Sequence, residues 1–328
     1  DVASLIDHIL GEQLQDREVA EIHRRSDGNP FFVEELLCCR DDYDKALPAS
    51  LRDVLLSRID ALPEPARHLV GVAAVGGREV EHDMLVAVAG DDGTAAGLRV
   101  LVEGGLLLPM RAIDGDDAYT FRHALVQEAV YETMLPTERR RLHQRWGEYL
   151  SAHSPAAAAG LVQLAYHWRE ARDRRALAAS VAAGDGAMAS FSYEVATREF
   201  GEALLLRQDD AHEELDLDHV ELLERHARSS YLASDFRTSA ASCREAVEEL
   251  GDSDPARRTT LLVLLARSQW VNGDWGPSID TYELALETSP NDPPIVRVRA
   301  LAGLGQAYML HARHREARPM LEAAIEGA

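Results

Sequence analysis

Residues 301–324, LAGLGQAYMLHARHREARPMLEAA, combine two apolar helical patterns with a short polar connection between them. The first pattern places three large apolar residues and a glycine on one helix face: Leu301, Leu304, Gly305 and Tyr308. The second pattern follows His314 and places small and bulky residues on one face: Ala317, Leu321 and Ala324. Because glycine and alanine let two helices approach closely, the stretch predicts an antiparallel helix pair.

The second half of this pattern occurs in three earlier copies with the same internal spacing. The copies begin at Tyr193, Phe236, Trp275 and His314, at intervals of 43, 39 and 39 residues. Small, bulky and alanine residues then recur in order: Ala196, Ser239, Ser278 and Ala317; Phe200, Cys243, Tyr282 and Leu321; Ala203, Ala246, Ala285 and Ala324. This order is typical of tetratricopeptide repeats (TPR), whose helix pairs stack into an α-solenoid. We predict TPR repeats over residues 156–328, with Leu161–Ala171 at the start of the array.

Residues 47–155 predict a winged-helix domain, because several short helical patterns precede one β-hairpin. The helical patterns end at glycine pairs 76–77 and 104–105. Two strand patterns, Leu106–Met110 and Ala118–Arg122, enclose the turn sequence Asp114–Asp117. Helical patterns at 81–89, 123–133 and 137–152 complete the domain.

Residues 1–46 predict a small helical subdomain, with helices at 2–10 and 16–25 and a third that begins at Pro30. The third helix starts within SDGNPFFVEELL, residues 26–37, where Asn29 suits the N-cap and Pro30 the first helical position. Two of the six phenylalanines of the chain follow at once, in the first turn of this helix. They form either a hydrophobic plug between helices or the wall of a ligand site.

Composition excludes several classes of protein. The chain has 328 residues, 46% hydrophobic and 27% charged, which is typical of a globular protein of more than one domain. A formal net charge of −22 opposes binding of this segment to nucleic acid. No signal peptide or membrane-spanning run is visible, and three cysteines make no disulfide framework, so we expect a cytoplasmic protein without membrane partners. A chain that opens on Asp1 and ends just after an apolar helical pattern is expected to be part of a longer protein.

No enzyme motif is present. Lys45, the single lysine, is followed by Ala46 and has no glycine nearby, so the chain contains no phosphate-binding P-loop and needs no cofactor of its own. His212, His219 and His226 are spaced by seven residues, and His311 and His314 by three, without the partners of a zinc motif. Packing or surface roles are predicted for these histidines, and close helix contacts for the Gly184-x-Gly186 and Gly303-x-Gly305 pairs.

Three polar features remain. The tip of the wing carries Asp114, Asp116 and Asp117, which repel phosphate and favour a wing that faces protein rather than DNA. Arg139–Arg141 is interpreted as a solvated helix face or a contact between domains. His123 stands between a strand pattern and a helix, where anions bind readily, although its position alone favours a core or capping histidine.

The stretches SDGNPFFVEELL, LPASLRDVLLSRIDALPEPARHLV and YTFRHALVQEAVYETMLPTERRRLHQRWGEYL, followed by TPR repeats, resemble one family. They are similar to the large ATP-binding LuxR-type transcriptional regulators, which belong to the STAND class of signalling NTPases. The resemblance implies a helical lid (1–46), a winged helix (47–155) and a TPR sensor (156–328). It implies that Pro30 contacts adenine and His123 the β-phosphate of ADP in the parent chain, although Arg122 and Ala124 depart from the Met-His-Asp motif of plant relatives.

The same resemblance implies partners outside this sequence. They are an N-terminal ATPase core that binds ATP or ADP, an inducer or partner protein on the TPR groove, and DNA through a C-terminal domain only. Two alternatives stay open: an arm of a signalling enzyme that carries a nucleotide cyclase or protein kinase domain, or a plain TPR scaffold.

Overall fold

A computed structural model describes residues 2–10, 14–26, 28–30, 32–33, 37, 56–90, 93–111, 116–153, 157–207, 218–289 and 294–328. Predictions that concern Phe31, Cys38, Cys39, Lys45, Asp114 or His212 lie outside these residues, as does the proposed boundary at residue 46. The chain divides into two compact units. Unit 1 comprises Asp1–Ser154 and Glu170–Arg172, and unit 2 comprises Pro155–Arg169 and Asp173–Ala328.

Unit 1 contains the winged helix. Its elements follow the order α3 (Glu64–Gly76), β1 (Glu79–Glu81), α4 (His82–Ala89), α5 (Thr94–Glu103), β2 (Leu107–Arg111) and β3 (Asp117–Phe121). Helices α1 (Val2–Leu10) and α2 (Asp16–Ser26) precede these elements, and α6 (Ala124–Thr133) and α7 (Pro136–Ala152) follow them. The strands form an antiparallel sheet in the order β1-β3-β2, with Leu107 opposite Phe121 and Val80 opposite Tyr119. The predicted hairpin is therefore confirmed.

The sheet has one strand more than the sequence predicted. Glu79–Glu81 forms β1, whereas the helical pattern was predicted to start at residue 81. A three-residue strand is too short to show an alternating pattern, and β1 exists because β3 offers it a free edge. The prediction of a single hairpin was therefore incomplete.

The core of unit 1 joins its N-terminal helices to the winged helix. Buried side chains of one cluster come from both parts, among them Ile6, Ile22, Val33, Leu69 and Leu125. Trp146 of α7 is 0% exposed, and its indole Nε1 donates to the carbonyl of Val72 at 3.2 Å.

Unit 2 is a TPR array. Helix α8 (Ala158–Ala171) precedes four antiparallel pairs: α9 (Ala176–Ala189) with α10 (Tyr193–Arg207), α11 (His219–Leu232) with α12 (Phe236–Leu250), α13 (Pro255–Asn272) with α14 (Trp275–Thr288), and α15 (Pro294–Leu310) with α16 (His314–Glu326). Each second helix begins at the first position of the sequence repeat, so the predicted register is confirmed. The recurrent alanines Ala203, Ala246 and Ala285 are 0% exposed.

Glycines in the first helices of the pairs pack against the bulky side chains of the second helices. A Cβ placed on Gly303 would lie 2.3 Å from Tyr282 Cε1, and one on Gly184 would lie 2.5 Å from Phe200 Cε1. Both distances are far below van der Waals contact, so each ring occupies the volume that a side chain would need. The predicted close approach at these glycines is confirmed.

A buried histidine in unit 1 predicts acid sensitivity. Burial, with the nearby Arg139 guanidinium, lowers the pKa of His143 to about 4, and His143 Nε2 lies 3.0 Å from Tyr131 Oη. The folded pKa of His143 lies below its unfolded value, so folding favours the neutral imidazole. The resulting contribution to the stability of unit 1 is complete above about pH 6.5 and disappears as the pH falls towards 4. We expect unit 1 to lose about 3 kcal/mol of stability over that window. Urea titrations of His143→Gln should show a smaller loss between the two pH values, and an unchanged loss would contradict the assignment.

Candidate functional site

His123 lies at the junction between the sheet and helix α6. Strand β3 ends at Phe121, Arg122 N donates to the carbonyl of Leu106 at 3.0 Å, and α6 begins at Ala124. The carbonyl of His123 accepts from Val126 N at 3.0 Å, which starts the helix, whereas its side chain makes no capping hydrogen bond. The structure thus places the imidazole beside a helix N-terminus without a capping role.

The G-N-P turn brings a phenylalanine onto this histidine. Gly28 adopts φ +74°, a left-handed conformation that favours glycine, and its N–H donates to Ser26 Oγ at 3.3 Å. The carbonyl of Asn29 accepts from Val33 N at 3.0 Å and so begins the next helix. The Phe32 ring then meets the His123 ring edge to face, with centroids 5.3 Å apart and an interplanar angle of 88°. Sequence reasoning identified both motifs but not their contact.

The two motifs share a cavity of about 310 Å³. Asn29 and Phe32 line it from the N-terminal segment, and Gly105, Arg122 and His123 line it from the winged helix. Its remaining lining residues are Arg58, Gly104, Leu106 and Val126. We call this space the junction cavity.

The charge of the junction cavity suits an anion. Arg58 and Arg122 are exposed, and neither forms an ion pair with any carboxylate in the part of the chain that the structure describes. The N-terminus of α6 adds its partial positive charge beside His123. Two guanidinium groups, an imidazole and a helix N-terminus therefore converge on one space. Sequence reasoning missed Arg58, because an isolated arginine on a polar helix face carries no motif.

Pro30 lies away from the junction cavity. It lines a second depression of unit 1 together with Gly28, His23 and apolar side chains of α1 and α2, namely Val2, Leu5 and Val19. The depression is mainly apolar, which suits a flat apolar group. The two residues predicted to bind nucleotide thus line different depressions of unit 1, Pro30 this one and His123 the junction cavity. The G-N-P segment contributes to both, because Asn29 lines the junction cavity.

Unit 2 carries a separate groove on its first helices. One depression is lined by residues of α11, α13 and α15, including Arg228, Arg267 and Arg299. A second depression, lined by Trp270 and Leu310 among others, shares Tyr231 and Arg267 with the first. We call these two connected depressions the first-helix groove.

The remaining polar candidates have structural partners. His219 Nδ1 lies 2.5 Å from Glu249 Oε2, His226 Nδ1 lies 2.9 Å from Ser242 Oγ, and His311 packs against two tryptophan rings. Burial raises the pKa of Cys243 to about 12, so this thiol stays protonated. Within the described ranges no three or more histidine, cysteine or carboxylate residues are placed to hold a metal ion. No helix of the same ranges is both long and apolar enough for a membrane span.

The other predicted surfaces are polar. Arg140 and Arg141 of α7 are exposed, whereas Arg139 lies over the Tyr131 ring at 5.1 Å. In the wing, Arg111 stands opposite Asp117 across the hairpin. The described part of the wing is therefore of mixed charge.

Fold and site together define a class: a winged-helix unit with a cationic cavity, followed by a TPR array, which is a protein-interaction module. No protein-family model matches the chain. An uncharacterized protein of Rhizobium meliloti (strain 1021) is 33% identical in a 139-residue alignment, and the match covers 37% of this chain. The chain spans only 13% of the length of that relative.

Solved structures give weaker similarities. YrrB, a TPR protein with an unusual peptide-binding site, is 18% identical, with a TM-score of 0.39 over 57% of this chain and 84% of its own. MamA from Desulfovibrio magneticus RS-1 is 17% identical, with a TM-score of 0.40 over 57% and 93%. A Signal Transduction ATPase with Numerous Domains (STAND) protein with a TPR sensor, from Pyrococcus horikoshii, is 13% identical, with a TM-score of 0.34 over 99% and 59%. Because these scores are low, the fold assignment rests on helix order and repeat register.

Proposed function

We propose that this chain is the regulatory and sensor portion of an ATP-dependent transcriptional regulator of the LuxR type and STAND class. The observation that carries the proposal is the junction cavity, where the G-N-P segment and His123 meet beside two arginines that form no ion pair with any carboxylate that the structure describes. A plain TPR scaffold has no need of such a cavity in a separate unit. An ATPase core outside this sequence would supply the P-loop, and the chain itself has no catalytic role.

The residues of unit 1 fit a nucleoside diphosphate. His123, Arg58 and Arg122 would hold the β-phosphate, since they present positive charge and hydrogen-bond donors at a helix N-terminus. Pro30 would contact the adenine from its apolar depression. When bound, ADP supplies the negative charge that these groups neutralise. Phe32 keeps the His123 ring in place and shields it from water.

In this proposal the two units have complementary tasks. Unit 1 holds the resting state closed over ADP, and the TPR array receives an inducer or partner protein whose binding favours the open form. DNA is bound only through a domain that this sequence does not contain, in keeping with the net charge of −22.

Replacement of His123 tests the proposal in the parent protein. A charge-assisted hydrogen bond contributes about 1.5–3 kcal/mol, so His123→Ala should lower the affinity for ADP about 10-fold to 150-fold. A full switch from 1:99 to 99:1 needs about 5.5 kcal/mol. We therefore expect raised basal transcription with the inducer response retained. ADP retention and reporter output should be measured in parallel.

His8→Ala is the matched control for this experiment, because His8 is exposed on α1 and lines neither depression of unit 1. It should leave both readouts unchanged. Unchanged ADP retention and basal output in His123→Ala would refute the phosphate contact and return His123 to a structural role.

A further inference from the structure

We infer that the first-helix groove binds an acidic peptide segment of a partner protein, with carboxylates beside a bulky apolar side chain. The inference rests on the interaction role proposed for the TPR array and names the chemistry of its partner. Three arginines at one depression and exposed apolar side chains at the next carry it.

Two of the three arginines are placed by the repeat itself. Arg228 on α11 and Arg267 on α13 are 39 residues apart, which equals the interval between Phe236 and Trp275 in the same two repeats. They therefore occupy the same register position of successive first helices. Arg299 on α15 reaches the same depression. A ladder of like charges on neighbouring helices is unfavourable unless an opposite charge is bound between them.

These three arginines lack the partners that other arginines of the same helices have. Arg225 of α11 pairs with Asp185 at 2.5 Å, and Arg257 of α13 pairs with Glu224 at 2.8 Å. By contrast Arg228, Arg267 and Arg299 are exposed, and none of them forms an ion pair within the described portion of unit 2.

The contrast is informative because carboxylates are abundant. Aspartate and glutamate number 56 in the whole chain, against 34 lysine and arginine residues. In such a chain an arginine is more easily paired than left alone. A groove whose three arginines form no ion pair with any carboxylate that the structure describes is therefore complementary to acidic groups supplied by another molecule.

The second depression favours a ligand that also carries a large apolar side chain. Val271 is 49% exposed and Leu310 is 56% exposed, beside the Trp270 ring. The Arg267 guanidinium lies over the Tyr231 ring at 5.4 Å, at the point where the two depressions meet. A free inorganic anion would not use this apolar surface, whereas a peptide with an acidic residue next to a large apolar one fits both depressions.

The net charge of the chain favours a peptide over a nucleic acid as the ligand of the first-helix groove. A polynucleotide extends many phosphates over the surface of a chain whose net charge is −22, and long-range repulsion opposes that contact. A short acidic segment places only a few carboxylates at the three arginines. We therefore favour the peptide, and a nucleic acid becomes an outcome of the test.

Selection from a random peptide library on the purified chain tests the inference. The double variant Arg228→Glu/Arg267→Glu reverses the sign of the charge at two positions of the groove. The control is Arg237→Glu/Arg244→Glu, which changes the net charge equally. Both control residues are exposed on α12, outside the groove. Library sequences enriched by the wild-type chain should place Asp or Glu beside an aromatic or long aliphatic residue. Affinity of a selected peptide should fall at least about tenfold in the groove variant, change little in the control, and weaken as salt is raised.

Three results would overturn the inference. The first is enrichment of basic or uncharged peptides, or of no peptide class, by the wild-type chain. Equal affinity of both double variants for the selected peptide is the second. The third is a single-stranded oligonucleotide that binds more tightly than the peptide and loses binding in the groove variant. None of these results bears on ADP retention by His123→Ala in the parent protein, so failure of the groove and failure of the proposed regulator can be told apart.

Discussion

Trp146→Ala should lower the free energy of unfolding of unit 1 by about 3–5 kcal/mol, because the largest side chain of its core disappears. The Trp146 side chain is 0% exposed, and its indole N–H satisfies the carbonyl of Val72 within α3. Truncation to alanine leaves a cavity and removes the indole donor from the carbonyl of Val72, which keeps only its hydrogen bond within α3. Hydrogen exchange of the α3 amides is a suitable measurement, since the variant removes the tryptophan that would report on unit 1.

Gly76 provides an internal check on the same contact. A Cβ at Gly76 would lie 2.4 Å from Trp146 Cζ2, so Gly76→Ala should cost about 1–3 kcal/mol in the wild-type chain. In the Trp146→Ala background the ring is absent, and the added methyl group partly fills the space. The two substitutions should therefore be strongly non-additive, with the double variant more stable than the sum of the single effects predicts. Additive effects would show that the indole does not occupy the position described.

Arg169→Met should destabilise unit 2 by about 3 kcal/mol, because it leaves the buried Glu199 carboxylate with only the exposed Arg198 as an ion-pair partner among the described residues. Arg169 Nη1 lies 2.6 Å from Glu199 Oε2, and the two side chains are 16% and 0% exposed. The same nitrogen donates to Ser180 Oγ at 2.9 Å. This arginine thus joins α8 to the first TPR pair. Urea unfolding followed by the fluorescence of Trp168, Trp270 and Trp275 measures the loss.

Two further variants isolate the charge effect. Arg244→Met removes an exposed arginine of α12 and should change stability by less than about 0.5 kcal/mol. The double variant Arg169→Met/Glu199→Leu replaces the pair by apolar groups and should recover most of the loss, since an apolar pair of similar volume is often as stable as a buried ion pair. A double variant as unstable as Arg169→Met would instead assign the loss to packing.

Repeat register and element order follow from the sequence because they depend on local spacing. The small, bulky and alanine positions recur at fixed offsets from an initial aromatic or histidine position, and each second helix begins at that initial position, as at Tyr193 and Trp275. The hairpin of the wing is likewise local, since a turn sequence separates two strand patterns. Such features need only the period of the chain and the packing that it allows.

Strand β1 and the junction cavity depend on contacts between distant segments. Glu79–Glu81 becomes a strand only because β3, some 40 residues later, presents an edge. Arg58 and Phe32 meet His123 although neither shares a motif with it. No local pattern records these encounters, since they are products of how the core of unit 1 closes.

The sequence by itself determined the TPR repeats, the winged-helix outline and the motifs around Pro30 and His123, because helix periodicity, turn residues and small-residue positions act over short range. Only the tertiary structure decided which arginines form ion pairs. Arg225 and Arg228 each follow a glutamate by four residues. Arg225 pairs with Glu221 and with Asp185, whereas Glu224 pairs with Arg257 of α13, and Arg228 faces the first-helix groove without an ion pair among the described residues. Whether an arginine is neutralised depends on which helix lies opposite, and the approach of helices from different repeats decides that.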